Sequence, residues 1–206
     1  MAWNADAADV DAVIHSGALQ QVAPTAELGH RGLYLLFLAL PVSSLGEVET
    51  WYTPEGRFRF GRVAEIGNYS ESLRRPGETA LCVEIPEGRW GHGHDFVADL
   101  DVVVDELQQA GIVPRNVRPV EAAQFFLPEV YPLYTRGWPD RWQQAMATVT
   151  GSGRVLPVGR QGLYLHCNID HAMTTGRAAA EHLVGGGGAR SWPARAARWL
   201  DVRVRD

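Results

Sequence analysis

The sequence predicts a mixed α/β fold, with a sheet-based domain flanked by strand-and-helix pieces of a second layer. Three observations carry this. Leu33-Tyr34-Leu35-Leu36-Phe37-Leu38-Ala39-Leu40 is an unbroken apolar run stopped by Pro41. Short strand-like pieces separated by turn residues follow it as far as Ile85. Segments of helical periodicity then alternate with short β-branched runs.

Taken in order, residues 10–15, Val-Asp-Ala-Val-Ile-His, read as a short buried strand before a Ser-Gly turn. Residues 32–40 read as a central strand covered on both faces. Trp51-Tyr52-Thr53, Phe58 to Val63 and Thr79 to Ile85 are each followed by Pro or Gly turns, the pattern of an antiparallel or mixed sheet. Asp95 to Ala110 is the clearest helix. Phe96, Leu100, Val103, Val104 and Leu107 recur at helical spacing, acids crowd the first turn, and Gly111 ends it. Val117 to Leu127 reads as a strand, Pro139 to Val149 as a helix, Arg154 to Val158 as a strand and Asp170 to Val184 as a helix. Gly185 to Gly188 breaks the chain, and the Arg-rich tail reads as peripheral.

Composition narrows the function classes. The chain has 206 residues, 46% of them hydrophobic, so a substantial core can be buried. Nineteen Lys and Arg against 24 Asp and Glu leave a formal charge of -5, which argues against a nucleic-acid surface. Cys82 and Cys167 lie far apart without metal-ligand spacing and read as reduced, buried thiols. The amino terminus lacks a basic region followed by an apolar run, and the longest apolar run is far short of the about 20 residues that span a bilayer. These features lead us to expect a soluble, cytoplasmic protein.

The segment with the most chemistry runs from Val155 to Leu183. A strand ends at Gly159-Arg160-Gln161-Gly162, and a helix begins near Asp170. Ala172, Gly176, Ala179 and Ala180 give that helix small residues at intervals of three and four, which permits close approach to a backbone or a flat ring. Its amino end offers free N–H groups and a partial positive charge. Glycines let the preceding loop come within contact distance of a ligand, and Arg160 is a candidate phosphate partner. The same spacing also fits a plain strand, loop and helix with Asp170 as N-cap.

On these residues the segment resembles the carboxyl-terminal flavin-binding motif of the amine oxidase-like FAD superfamily. That superfamily includes protoporphyrinogen oxidases, phytoene desaturases, monoamine oxidases and UDP-galactopyranose mutases. The matching features are Gly159-Arg160, Asn168-Ile169-Asp170, and Gly176 with Ala179-Ala180. Upstream, Tyr131-Pro132-Leu133-Tyr134 resembles a Tyr-Pro-x-Tyr segment of the group. Phe60-Gly61-Arg62-Val63, Asn68-Tyr69-Ser70 and Thr79 to Glu84 resemble its substrate-domain sheet. The Gly-x-Gly-x-x-Gly turn that cradles the dinucleotide pyrophosphate in this superfamily has no counterpart here. Gly185 to Gly188 follows a helix, whereas that turn follows a strand. The resemblance thus implies the second half of such a protein. Residues 1–30 would hold a late strand of the FAD-binding domain, 31–138 the substrate domain, 139–184 the closing FAD-binding strand and helix, and 185–206 a peripheral tail.

What the resemblance implies for function is an FAD-dependent oxidoreductase portion, acting with a complementary chain or as a homo-oligomer on a small-molecule substrate. A mutase-like enzyme without net redox and a non-catalytic scaffold are the alternatives. Gly159, Arg160, Gly162, Asn168, Ile169, Asp170, Ala172 and Met173 would line FAD, with the N–H groups of Asp170 to Ala172 facing the flavin edge. Tyr131, Tyr134 and Tyr164 would wall the ring or serve as ordinary core aromatics. Arg62, with Asn68, would face the substrate cavity or solvent. Tyr134, Tyr164 and Arg62 are the catalytic candidates. His166 and His171 flank the flavin loop as proton-relay candidates, and His92 and His94 read as solvated, with no metal site.

Overall fold

The structure is a computed structural model and describes residues 13–23, 27–88, 90 and 92–201. In chain order the elements are β1 (Val13–His15), α1 (Leu19–Val22), β2 (His30–Leu40), β3 (Thr50–Tyr52), β4 (Arg62–Glu65), α2 (Ile66–Tyr69), β5 (Thr79–Pro86), α3 (Leu100–Gln109), β6 (Glu121–Pro132), α4 (Trp138–Gly151), β7 (Val155–Pro157), α5 (Gly159–Gly162), α6 (Ile169–Val184) and α7 (Trp192–Ala196). The mixed α/β class expected from the sequence is the class observed. The chain divides into two compact units, and the divisions fall after His30 and after Pro128. Of the expected first strand, residues 10–12 lie outside the described residues.

The unit Arg31–Pro128 is built on a five-stranded sheet of order β3-β4-β5-β2-β6. Strand β2 is interior and runs antiparallel to β5, with Leu36 opposite Val83 and Leu38 opposite Leu81. Its Tyr34, Leu36, Leu38 and Leu40 side chains are fully buried, whereas Leu35, Phe37 and Ala39 are half-buried. The apolar run therefore has one sealed face and one partly covered face, short of the two-sided burial expected. Helix α3 covers the sealed face with Val103 and Leu107, which cluster with Tyr34, Leu38, Val83 and Ile85. It starts at Leu100, later than predicted. The Asp95 carboxylate accepts from the Val97 and Ala98 amides at 2.9 and 3.0 Å, and Gln124 takes the Phe96 amide. Those bonds satisfy a turn where a first helical turn was expected. Phe58 to Gly61 likewise belongs to the β3–β4 connection, and the strand begins at Arg62.

The unit formed by residues up to His30 and from Glu129 onward packs α1, α4, α6 and α7 around β7. Strands β1 and β7 form a two-stranded parallel sheet, with Val13 opposite Val155 and His15 opposite Pro157. Trp142 from α4 and Trp192 from α7 reach the core and donate their indole N–H to the Leu163 and Pro157 carbonyls at 2.9 and 2.8 Å. The carboxyl-terminal segment was expected at the periphery. Instead Ala189, Trp192 and Ala196, at helical spacing, bury fully against this core. Its residues 202–206 lie outside the described residues. Cys82 and Cys167 are unpaired and buried. Among the described residues no helix is long and apolar enough to cross a membrane.

Candidate functional site

The turn leaving β7 is fixed by two glycines for different reasons. Gly159 has φ +74°, in the left-handed region that disfavours side chains, and its N–H donates to the buried Thr175 hydroxyl of α6 at 2.8 Å. Thr175 in turn donates to the Ala172 carbonyl at 2.7 Å. Gly162 sits where an added Cβ would lie 2.6 Å from the His15 carbonyl oxygen, so the turn is pressed onto the end of β1. The Val158 amide donates to that same carbonyl at 2.8 Å. Together these contacts bring β7, the turn and α6 close together, with Ala172 facing Gly159.

The amino end of α6 is open. Asn168 is its N-cap, and neither it nor any other side chain caps the first turn among the described residues. Asn168 and Asp170 are exposed, Ile169 is 81% exposed and Met173 is 71% exposed. Ile169 and Met173 stand four residues apart, so one outward face of the first turns is apolar and bare. Gly176, Ala180 and the exposed Val184 continue that face. The Ala172 amide is taken by the Asn168 carbonyl at 3.0 Å, so the donors left at this end belong to the residues before it.

Arg160 does not reach outward. Its Nε donates to the Cys167 carbonyl at 2.8 Å, its Nη2 bonds the same oxygen, and its guanidinium lies 5.5 Å from the centre of the Tyr131 ring. It thereby laces the loop from Leu163 to Asn168 back to the turn, and that loop presents the start of α6. Nothing in the sequence marks Cys167 O as its partner, because backbone carbonyls carry no residue signal.

Tyr134 and Tyr164 are brought together, with ring centres 5.8 Å apart. Tyr164 is buried at φ +54°, rare for a side-chain residue. Its hydroxyl lies 2.7 Å from both the Gly29 and Leu133 carbonyls, and His30 packs edge-on against its ring. Tyr134 accepts from the His166 amide at 2.7 Å and stacks on Trp138. Burial raises both phenol pKa values and lowers that of His30. The tyrosines are thus neutral hydroxyls that brace the loop. Of the relay candidates, His166 is exposed, and His171 places Nδ1 3.2 Å from its neighbour Asp170.

Arg62 belongs to the sheet unit, where it ion-pairs with Glu84 across β4 and β5. Asn68 donates to the Gly46 and Val48 carbonyls and to Glu65, at 2.9 to 3.1 Å. Both residues serve the sheet and its loops. His94 is tied to Asp99 at 2.9 Å, and no group of three metal-capable side chains occurs among the described residues. Sequence reasoning missed Thr175. The available signal was a lone polar residue on the inward face of α6, beside Ala178 and Ala179.

No protein-family profile and no curated protein sequence matches this chain. Among solved structures it resembles a reduced UDP-galactopyranose mutase, with a TM-score of 0.76 and 16% identity over 94% of this chain. It also resembles a putative protoporphyrinogen oxidase from Exiguobacterium sp. 255-15, with a TM-score of 0.57 and 15% identity over 84% of this chain. In fold, then, the chain is similar to a portion of each protein, spanning 45% of the mutase and 41% of the oxidase-like protein.

Proposed function

We propose that this chain is the flavin-facing portion of an FAD-dependent enzyme of the amine oxidase and protoporphyrinogen oxidase group. The observation that carries the reading is the uncapped start of α6 behind a turn closed by Gly159 and Gly162. An open helix terminus offers N–H donors and a positive dipole end to anionic or electron-rich groups. The bare side chains of Ile169 and Met173 suit the edge of a flat apolar ring. Asn168, Asp170 and His171 backbone groups would hold that edge, with Gly159 and Ala172 giving the clearance. Arg160 fits the part of loop brace, and we assign it no phosphate. Bound FAD would supply an acceptor for a hydride taken from a substrate C–H bond, later returned to oxygen or another oxidant. Tyr134 and Tyr164, as neutral hydroxyls, would hold the loop in place and exclude water there.

The reading includes a complementary partner, a chain carrying the dinucleotide-cradling half. The two-stranded parallel sheet supports it, with Val13 48% and Ile14 42% exposed. Parallel sheets ordinarily have both faces covered. The test is to purify the chain with the products of neighbouring genes and record the visible spectrum. Flavin absorbance that co-purifies with both chains is expected. Colourless assemblies that stay colourless after added FAD would sink the reading.

A mutase-like enzyme, using flavin without net redox, is the second reading. It is favoured by the higher TM-score and wider coverage of the mutase comparison. Binding of UDP-galactose to the flavin-loaded assembly would select it. Turnover of a reductant-linked substrate without such binding would select the oxidoreductase.

A further inference from the structure

The sheet unit carries a groove of about 440 Å³ that the flavin reading does not use. It lies between the β3–β4 loop and the segment leaving β5, with Arg31 at the start of β2 on its rim. The volume falls in the range of small-ligand sites, roughly 300–1,000 Å³. Thr53 pins the loop by donating its hydroxyl to the Phe60 carbonyl at 2.7 Å and its amide N–H to the Gly61 carbonyl at 3.0 Å. This wall is therefore pre-formed.

The lining is flat and cationic. Phe58 and Phe60 stack with planes 3° apart and centres 5.4 Å apart. Arg59 lies over the Trp90 ring at 4.7 Å and is held there by its ion pair with Glu106. Arg57, outside the lining itself, is exposed and lies over Phe58 at 5.1 Å. Arg31 is exposed and makes no ion pair among the described residues. No carboxylate lines the groove among the described residues, although the chain as a whole carries -5. A basic, aromatic hollow on an acidic protein suits a ligand with a ring at one end and negative charge at the other.

We infer that this groove binds a nucleoside phosphate, its base stacking on Phe58 and its phosphate held by Arg31. The inference concerns the sheet unit alone and needs neither bound flavin nor a partner chain. The test is calorimetric titration of the full chain with AMP, adenosine and inorganic phosphate. AMP should bind at a single site, more tightly than adenosine or phosphate. Arg31→Ala should weaken AMP about tenfold and leave adenosine unchanged. Phe58→Leu keeps the apolar volume and should weaken both AMP and adenosine about fivefold or more. Phosphate binding as tight as AMP, no AMP binding at millimolar concentration, or AMP binding unchanged in both variants would each overturn it. Flavin colour plays no part in these readouts, so either proposal can fail alone.

Discussion

The amide of Gly159 donates to the hydroxyl of Thr175 at 2.8 Å, both groups buried, and this bond ties the turn after β7 to the second turn of α6. A buried donor left without an acceptor costs about 1–3 kcal/mol. Thr175→Val keeps the shape and removes the acceptor. It should lower the unfolding free energy by that amount, read as a lower urea midpoint at unchanged slope, whereas Thr175→Ser should lose much less.

Gly162 has no room for a side chain. Its added Cβ would meet the His15 carbonyl at 2.6 Å, and a backbone atom in a parallel strand cannot move aside cheaply. Gly162→Ala should destabilise the protein by about 1–3 kcal/mol, the usual cost of overpacking, as read from denaturant unfolding. Gly176→Ala, with open space at its Cβ, should be neutral or slightly stabilising.

Ile169 and Met173 are bare apolar side chains at the start of α6. Replacing both with Gln should leave stability within about 0.5 kcal/mol, because neither is packed. Under the flavin reading, the same double variant should lose flavin absorbance from the co-purified assembly. Unchanged flavin content would separate this face from the cofactor.

Burial pushes the Cys82 thiol up to about 11 from an ordinary 9.0, with Glu84 adding to the rise. The folded state thus holds this proton more tightly than the unfolded chain does. Its contribution is complete below pH 9 and is lost as pH rises toward 11. Stability should fall over that window, and Cys82→Ala should make the fall shallower than in the parent. Tyr134 and Tyr164 shift in the same direction, so the difference between the two proteins is the quantity to measure.

Much of the sheet unit is legible in the sequence because its signals are local. The apolar run before Pro41 becomes β2, Thr79 to Ile85 becomes β5, and Gly111 ends α3 at φ +74°. The start of α3 was not legible, because Gln124, a distant residue, completes the turn that precedes it. At the candidate site, the small residues of α6 and both glycines were readable from spacing. The use of Arg160 was not, since its partners are a carbonyl oxygen and the face of Tyr131. The burial of Trp192 was obscured by Arg190, Arg195 and Arg198, although Ala189, Trp192 and Ala196 repeat at the spacing of an inward face.

The parallel pairing of Val13 with Val155 sets an order of events during synthesis. Everything between them is made first, and Arg31–Pro128 holds its sheet partners and its core in one continuous stretch. That stretch can collapse as it leaves the ribosome, while β1 must wait for β7 before it gains its neighbour. Nascent chains halted once residue 128 has cleared the ribosome should therefore resist protease between residues 31 and 128. Synthesis of the segment from Glu129 onward then closes the other unit around β1.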